Sequence, residues 1–397
     1  MKYDFTTVMD RTGHDILAAD RIPFDGVSVE KGVSAIPMWI ADMSFPTAPA
    51  VLEAIEERLR FPNFGYFAQP QEYYQAIIDW HRARKHIDDL TPEMIGYENG
   101  VLGGVSAAIR AFTSPGDGIL LHAPTYVGFT HVLDDLGRRA VHSRLVRDGK
   151  EIWRMDYEDM DRKLKENRIH LAIFCSPHNP TGRVWEREEI EQAMAVYAAN
   201  DCIVISDEIW SDILMPGACH IPTQSVSQDA KGRTIAFYAP SKTFSLAGLI
   251  GSYHVVYDSL LRDRLRREGG LTNYNSQNIL SMGALIGAYR NGGEWVDELC
   301  LVLEKNLRCA CDFIRANFPG VHVMKPQGTY MLFLDCAEWC RQHAVPIREL
   351  QHRGVRAGVI WQDGEAFQWP ESIRMNLALP FSLLEEAMNR LKKDVFV

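Results

Sequence analysis

A chain of 397 residues exceeds the size at which one hydrophobic core usually stops growing, so two domains, or one large and one small, are expected. Its composition, 46% hydrophobic and 24% charged, is ordinary for a soluble globular protein. A formal net charge of -10 argues against nucleic acid as a general partner, since phosphate binding needs a basic footprint.

The N-terminal "MKYDFTTVMDRTGHD" lacks an apolar signal core, and no apolar run approaches the roughly 18 residues that a membrane span needs. No membrane association and a cytoplasmic location are therefore expected. The first 45 residues are irregular and punctuated by proline. Further on, "GILLHAP" (118–124), "IHLAIFCSP" (169–177), "CIVISDE" (202–208), "TIAFYAP" (234–240) and "SYHVVYD" (252–258) read as strands. Helical patterns lie between several of them, such as "EREEIEQAMAVYAAN" (186–200), with Ile190 and Met194 on one side. Strand and helix alternating at this spacing predict an α/β fold with a mainly parallel sheet covered on both faces. After about residue 290 the pattern changes. The long helix "EWVDELCLVLEKNLRCACDFIRANF" leads into "VHVMKPQGTYMLFLD", then a helix, a short strand and a last helix. The expected division is a large domain over 46–288 and a smaller α+β domain built from 1–45 and 289–397. The eight cysteines form no CxxC pair, which predicts neither a zinc site nor a redox motif but reduced core thiols.

In a parallel α/β sheet the ligand site gathers at the C-terminal ends of the strands. "APTYVGF" supplies Tyr126 there, "CSPHNPTGRVW" Asn179, "SDEIWSD" Asp207 and "APSKTF" Lys242. Singly these are a core tyrosine, an Asn-Pro turn, a strand-end acid and a common surface lysine. Converging on one crevice, a ring to stack, an amide, a carboxylate and an amine are the groups that pyridoxal 5'-phosphate needs. The amine condenses with its aldehyde, and the acid keeps the pyridine nitrogen cationic, so that the ring draws electrons. A close opposite charge shifts a pKa by roughly 1 to 3 units, which asparagine at 207 could not do.

The strings "GGVSAAIRAF", "SPHNPTGRVW", "ISDEIWSD", "APSKTF" and "IRMN", in this order and spacing, resemble fold type I pyridoxal-phosphate enzymes, the aspartate aminotransferase superfamily. "IPMWIADMSFPTAP" followed by "FGYF" narrows the resemblance to its carbon-sulfur lyase branch, the MalY/PatB-type cystathionine β-lyases. It spans roughly residues 3 to 395. It implies a seven-stranded large-domain sheet and makes Lys242 the cofactor-bonding lysine and proton carrier. Asp207 would pair with the pyridine nitrogen, Asn179 would bond the ring's phenolic oxygen, and Tyr126 would stack on the ring. For the phosphate, "NGVLGGVSAAI" offers Gly103 and Gly104 at a helix start, where bare N–H groups can approach an anion. Ser241 would add a hydroxyl, and Tyr66 resembles a tyrosine that reaches the phosphate from a neighbouring subunit, implying a homodimer with shared active sites. Arg374 matches the arginine that clamps an amino acid substrate's α-carboxylate, a role suited to a planar fork; the segment from Trp39 to Ala41 would lie across the same pocket.

Departures from the family pattern are Ile250 in place of a phosphate-binding arginine, Trp210 for histidine, Ser245 for asparagine, Ser44 for aspartate, and "NLALP" for "NAGC". The absent phosphate arginine favours the lyase branch; the others bear on the substrate pocket. The expected reaction is α,β-elimination of cystathionine or another S-substituted cysteine to pyruvate, ammonia and a thiol. An aminotransferase would use the same residues, and a regulatory protein that keeps the fold for partner binding is a third reading.

Overall fold

The computed structural model describes residues 1–271 and 275–397. Seven strands form its larger sheet: β1 (Ile95–Glu98), β2 (Gly118–Ala123), β3 (Arg139–Arg144), β4 (Leu171–Cys175), β5 (Ile203–Asp207), β6 (Thr234–Tyr238) and β7 (Ser252–Val255). Their spatial order is β1-β7-β6-β5-β4-β2-β3. Strands β3, β2, β4, β5 and β6 are mutually parallel, and β7 runs antiparallel to both β6 and β1.

Successive side chains of a strand face opposite sides, so a sheet covered twice needs apolar residues throughout. Ile119, Leu121, Ile173, Cys175 and Ile205 pack on one side, beneath Val105 and Ile109 of helix Val101–Phe112 and Leu261 and Leu265 of helix Ser259–Leu271. Leu120, Ala172, Phe174 and Val204 pack on the other, beneath Met160 and Leu164 of helix Tyr157–Asn167 and Ile190 and Met194 of helix Arg187–Ala199. Each such aliphatic side chain contributes about 1.5–3 kcal/mol when fully buried.

A smaller antiparallel sheet contains β8 (His322–Val323), β9 (Met331–Asp335), β10 (Gln362–Asp363) and β11 (Ser372–Asn376), in the order β8-β9-β11-β10. Helix Gly293–Asn317 buries Val296, Leu299, Leu303, Leu307, Ala310 and Ile314, a stripe at three- and four-residue spacing. The N-terminal strand Ile36–Pro37 pairs in parallel with Val359–Ile360. One core cluster joins Phe5, Trp80, Trp295, Leu332 and Ile373, so the N-terminal segment, the larger sheet's edge and the smaller sheet share apolar contacts.

The seven-stranded, mostly parallel α/β sheet agrees with expectation. Among the strands read from sequence, β7 differs in direction: it turns back against β6. The strands β1 and β3 carry weak signals, because β1 is four residues long and contains a glycine, while β3 is an edge strand whose "RAVHSR" is largely polar. All eight cysteines are free thiols, five of them buried. Among the described residues no helix is long and apolar enough to cross a membrane, and no cluster of His, Cys, Asp or Glu could hold a metal ion.

Candidate active site

The buried strand β6 ends at Tyr238 and is followed by a single helical turn, Pro240–Thr243. Proline suits the first helical position because its missing N–H would have no intrahelical acceptor there. The turn is closed by Phe244 N–H donating to Pro240 O at 2.9 Å and Leu246 N–H donating to Ser241 O at 3.0 Å. Lys242 sits on it, aimed at the strand ends rather than at solvent.

Asp207 is the last residue of β5, in register with Cys175 of β4 and Phe237 of β6. Tyr126 caps the start of helix Val127–Asp135 beyond β2. Asn179 rides on the loop after β4, a turn held by His178 N–H to Arg183 O at 2.8 Å and Gly182 N–H to His178 O at 2.7 Å. Gly182 is required there: its φ is +69°, and a Cβ would lie 2.4 Å from Pro326 Cβ. Arg183, fully buried, anchors the loop by donating to Trp153 O at 3.3 Å and to Glu189.

These elements bring Tyr126, Asn179, Asp207, Ser241 and Lys242 to the wall of one cavity of about 230 Å³, together with Ala41, Gly100, Val101, Leu102, Trp210 and Ile250. Lys242 Nζ donates to Ala41 O at 2.8 Å and lies 5.7 Å from the Trp210 ring centre. No carboxylate touches it among the described residues. Desolvation, followed by the charge of Arg374, pushes the Lys242 ammonium down to about 8, against the opposite pull of Asp42 and Asp207. Burial pushes Asp207 up to about 6, although the Ile209 N–H at 3.1 Å and the Lys242 charge favour its ionised form. The site thus holds an amine that loses its proton readily and an acid that would gain from a cationic partner.

Arg374, in the middle of β11, is 2% exposed. Its guanidinium donates to Asn179 Oδ1 at 3.0 Å, to Trp39 O at 3.1 Å and to Gln362 Oε1. Its Nε is buried with no partner among the described residues. Desolvation pushes it down to about 10. The guanidinium also lies 4.6 Å from the Phe367 ring centre, and a buried, planar cation whose hydrogen-bond acceptors among the described residues are all neutral oxygens is arranged to receive an anion.

Two of the expected positions need correction. Gly104 does not line the cavity: its N–H is already donated to Gly100 O at 3.1 Å, and a Cβ there would lie 2.4 Å from Phe237, so the residue serves close helix-to-sheet packing. Gly103 is exposed and also lies off the cavity wall. The helix start that faces the cavity is Gly100–Leu102, where Gly100 has φ +79° and the first N–H groups have no intrahelical acceptor. Tyr66 is not at the cavity within one chain. It is fully exposed, on a loop with exposed Phe61, Phe64 and Phe67.

Trp39 contributes its backbone: its carbonyl meets Arg374 while its indole N–H is donated to Ala18 O at 3.2 Å. The Trp39–Ala41 segment is expected at the pocket, but the carbonyl that Ala41 offers has no side-chain signature, and sequence reasoning missed two further contributors. Tyr330 donates its hydroxyl to the same Ala41 O at 3.2 Å and packs edge-on to Trp210 at 4.7 Å. Gln362 reaches Arg374 only through the pairing of β10 with β11.

Comparison with known proteins agrees with this geometry. The family model described as aminotransferase class I and II matches residues 36–391. Cystathionine beta-lyase PatB of Bacillus subtilis (strain 168) is 33% identical over 386 residues, 95% of this chain and 97% of PatB. A PLP-bound putative aminotransferase from Clostridium difficile 630 superposes with a TM-score of 0.92 at 31% identity, covering 100% of both chains. The PLP-bound C-S lyase from Staphylococcus hominis superposes with a TM-score of 0.89 at 28% identity, covering 98% of each chain. The chain belongs to the aminotransferase class I and II family.

Proposed function

We propose that this protein is a pyridoxal-phosphate-dependent carbon-sulfur β-lyase that cleaves cystathionine or related S-substituted cysteines to pyruvate, ammonia and a thiol. The observation that carries the reading is the single cavity shared by Lys242, Asp207 and Asn179, with Arg374 hydrogen-bonded to that same Asn179 and meeting no carboxylate among the described residues. The similarity to PatB and to the C-S lyase selects the reaction class.

The donor set fits the cofactor. Lys242 would hold it covalently, Asp207 would face its pyridine nitrogen, Asn179 its phenolic oxygen and Tyr126 one ring face. The N–H groups of Val101 and Leu102, at the start of the helix that Gly100 caps, and the Ser241 hydroxyl would take its phosphate. Bound there, the cofactor supplies the electron sink for the charge left when the substrate's α-proton departs. Asp207, already raised by burial, gains most from an ion pair with a protonated ring nitrogen.

Arg374 and Asn179 orient the substrate's α-carboxylate, which sets the Cα–H bond toward Lys242. Lys242, whose ammonium is pushed down to about 8 by desolvation and so gives up its proton more readily than an ordinary lysine, takes that proton in its neutral form. It is then positioned to deliver it to the departing sulfur. Loss of the thiolate leaves an enamine that hydrolyses in water to pyruvate and ammonia. The working unit is a homodimer in which the exposed Tyr66 loop enters the partner's site; four exposed aromatics on one short loop support this. The division into residues 46–288 and 1–45 with 289–397 belongs to the same reading, supported by the pairing of Ile36–Pro37 with Val359–Ile360. A cytoplasmic location accords with eight free thiols.

Incubating the purified protein with L-cystathionine, without any keto acid, tests the proposal. Sustained release of pyruvate and thiol is the expected result. A half-reaction that stops until a keto acid is added would make it an aminotransferase, and no reaction with any amino acid would favour a regulatory role.

A further inference from the structure

Arg374 is held almost entirely out of water, yet its hydrogen-bond acceptors among the described residues are all neutral oxygens, from Asn179, Trp39 and Gln362. Two of these follow from the loop and strap that build the cavity. The third follows from sheet register: Gln362 of β10 stands directly opposite Arg374 of β11. Residues so paired share a face, with Cβ atoms roughly 5 Å apart. Alternation along the strand turns the neighbouring Asp363 to the other face, where its carboxylate accepts from Gln351 Nε2 at 2.8 Å and Glu365 N–H at 2.9 Å. The strand thus presents an amide to the guanidinium and keeps its acid away from it.

That choice has a chemical consequence. The present hydrogen bond is charged on the guanidinium side only, whereas a carboxylate at 362 would form an ion pair with Arg374 and cancel its charge. An incoming substrate carboxylate would then have to displace it. An amide oxygen fixes the fork without neutralising it. We infer that Gln362 is a positioning residue that sets affinity for the substrate's α-carboxylate, holding Arg374 in register by a neutral contact so that its charge remains available. This inference rests on the reading of Arg374 as the carboxylate clamp.

The test uses holoenzyme of the parent, Gln362→Glu and Gln362→Leu. Dissociation constants for L-alanine and for L-alaninamide, which lacks the carboxylate, are read from the change in cofactor absorbance. Their ratio isolates the carboxylate's contribution. The parent should favour L-alanine, and Gln362→Glu should lower that preference by about tenfold, whereas Gln362→Leu should lower it by only about two- to threefold. In turnover, Gln362→Glu should raise KM for L-cystathionine with kcat held within about threefold, the pattern of lost uniform binding. A merely structural role would lower the thermal midpoint and weaken both ligands alike. An unchanged ratio in Gln362→Glu, or an equal fall in both variants, would overturn the inference. A parent that binds both ligands equally would overturn it together with the clamp. A parent that prefers L-alanine but releases no pyruvate from L-cystathionine would sink the lyase reading alone, and the variants' ratios would still decide the role of Gln362.

Discussion

Lys85 and Lys242 are both drawn out of bulk water, and they end in opposite company. Lys85 lies on helix Gln71–Lys85, 4% exposed, in direct contact with Asp212, which also accepts from Trp80 Nε1 at 3.1 Å and Thr243 Oγ1 at 3.2 Å. Burial alone would raise Asp212, but the Lys85 charge and hydrogen bond outweigh it and hold the carboxyl below its ordinary value. Lys242 meets a carbonyl instead, with Arg374 nearby, and its ammonium falls to about 8. The two residues are chemically identical. A touching counter-charge makes one a strut, and its absence makes the other reactive. The two are also linked, because Asp212 holds the hydroxyl of Thr243, the neighbour of Lys242.

The contrast can be broken most sharply at the reactive end. Lys242→Ala should cost turnover of L-cystathionine about 10²–10⁴-fold or more, the range of a lost acid–base group, and should abolish the visible absorbance of the bound cofactor. Survival of that absorbance would remove Lys242 from its assigned place. Lys85→Met leaves Asp212 buried and unpaired, and should lower unfolding free energy by about 3–5 kcal/mol in urea titrations. A change within experimental error would mean that the pair is not structural.

The same substitution at 242 should have the opposite sign. In protein stripped of cofactor, Lys242→Met should raise stability near pH 7 by about 1–3 kcal/mol. Below about 8 both the folded and the unfolded chain carry the lysine charge, and the fold bears the whole desolvation penalty. The penalty fades as pH rises through about 8 and is gone above the ordinary value near 10.5, so the variant's advantage should vanish there. An advantage that is constant with pH would show packing rather than charge to be its cause. At the small end, Tyr66→Phe should weaken cofactor retention by about 1 kcal/mol, the worth of one hydrogen bond, in dimeric protein. No change in cofactor affinity would take Tyr66 out of the partner's site.

Much of this arrangement is legible in the chain. Strand-end groups are visible because a doubly covered strand is largely apolar, so polar residues at its end or within four positions after it stand out, as Asp207, Asn179 and Lys242 do. The direction of β7 is not legible, because an apolar strand reads alike both ways. Gly103 and Gly104 attract notice as a pair, yet the helix begins earlier, at Val101 with Gly100 as its cap, and only packing reveals that Gly104 makes room for Phe237. Contacts through backbone carbonyls, such as Lys242 with Ala41, leave no trace in side-chain chemistry. Gln362 and Arg374 become partners only once strand register is fixed.

The strap from Trp39 to Asp42 gives its main-chain oxygens to both reactive cations: Arg374 takes that of Trp39, and Lys242 shares that of Ala41 with the Tyr330 hydroxyl. Asn376 pins the same strap through the carbonyls of Ile40 and Asp42. One stretch of four residues is therefore a common hinge pin for two chemically separate tasks, anchoring the substrate and moving its proton. A cut or slip there would silence both at once, leaving every catalytic side chain intact in composition and useless in concert.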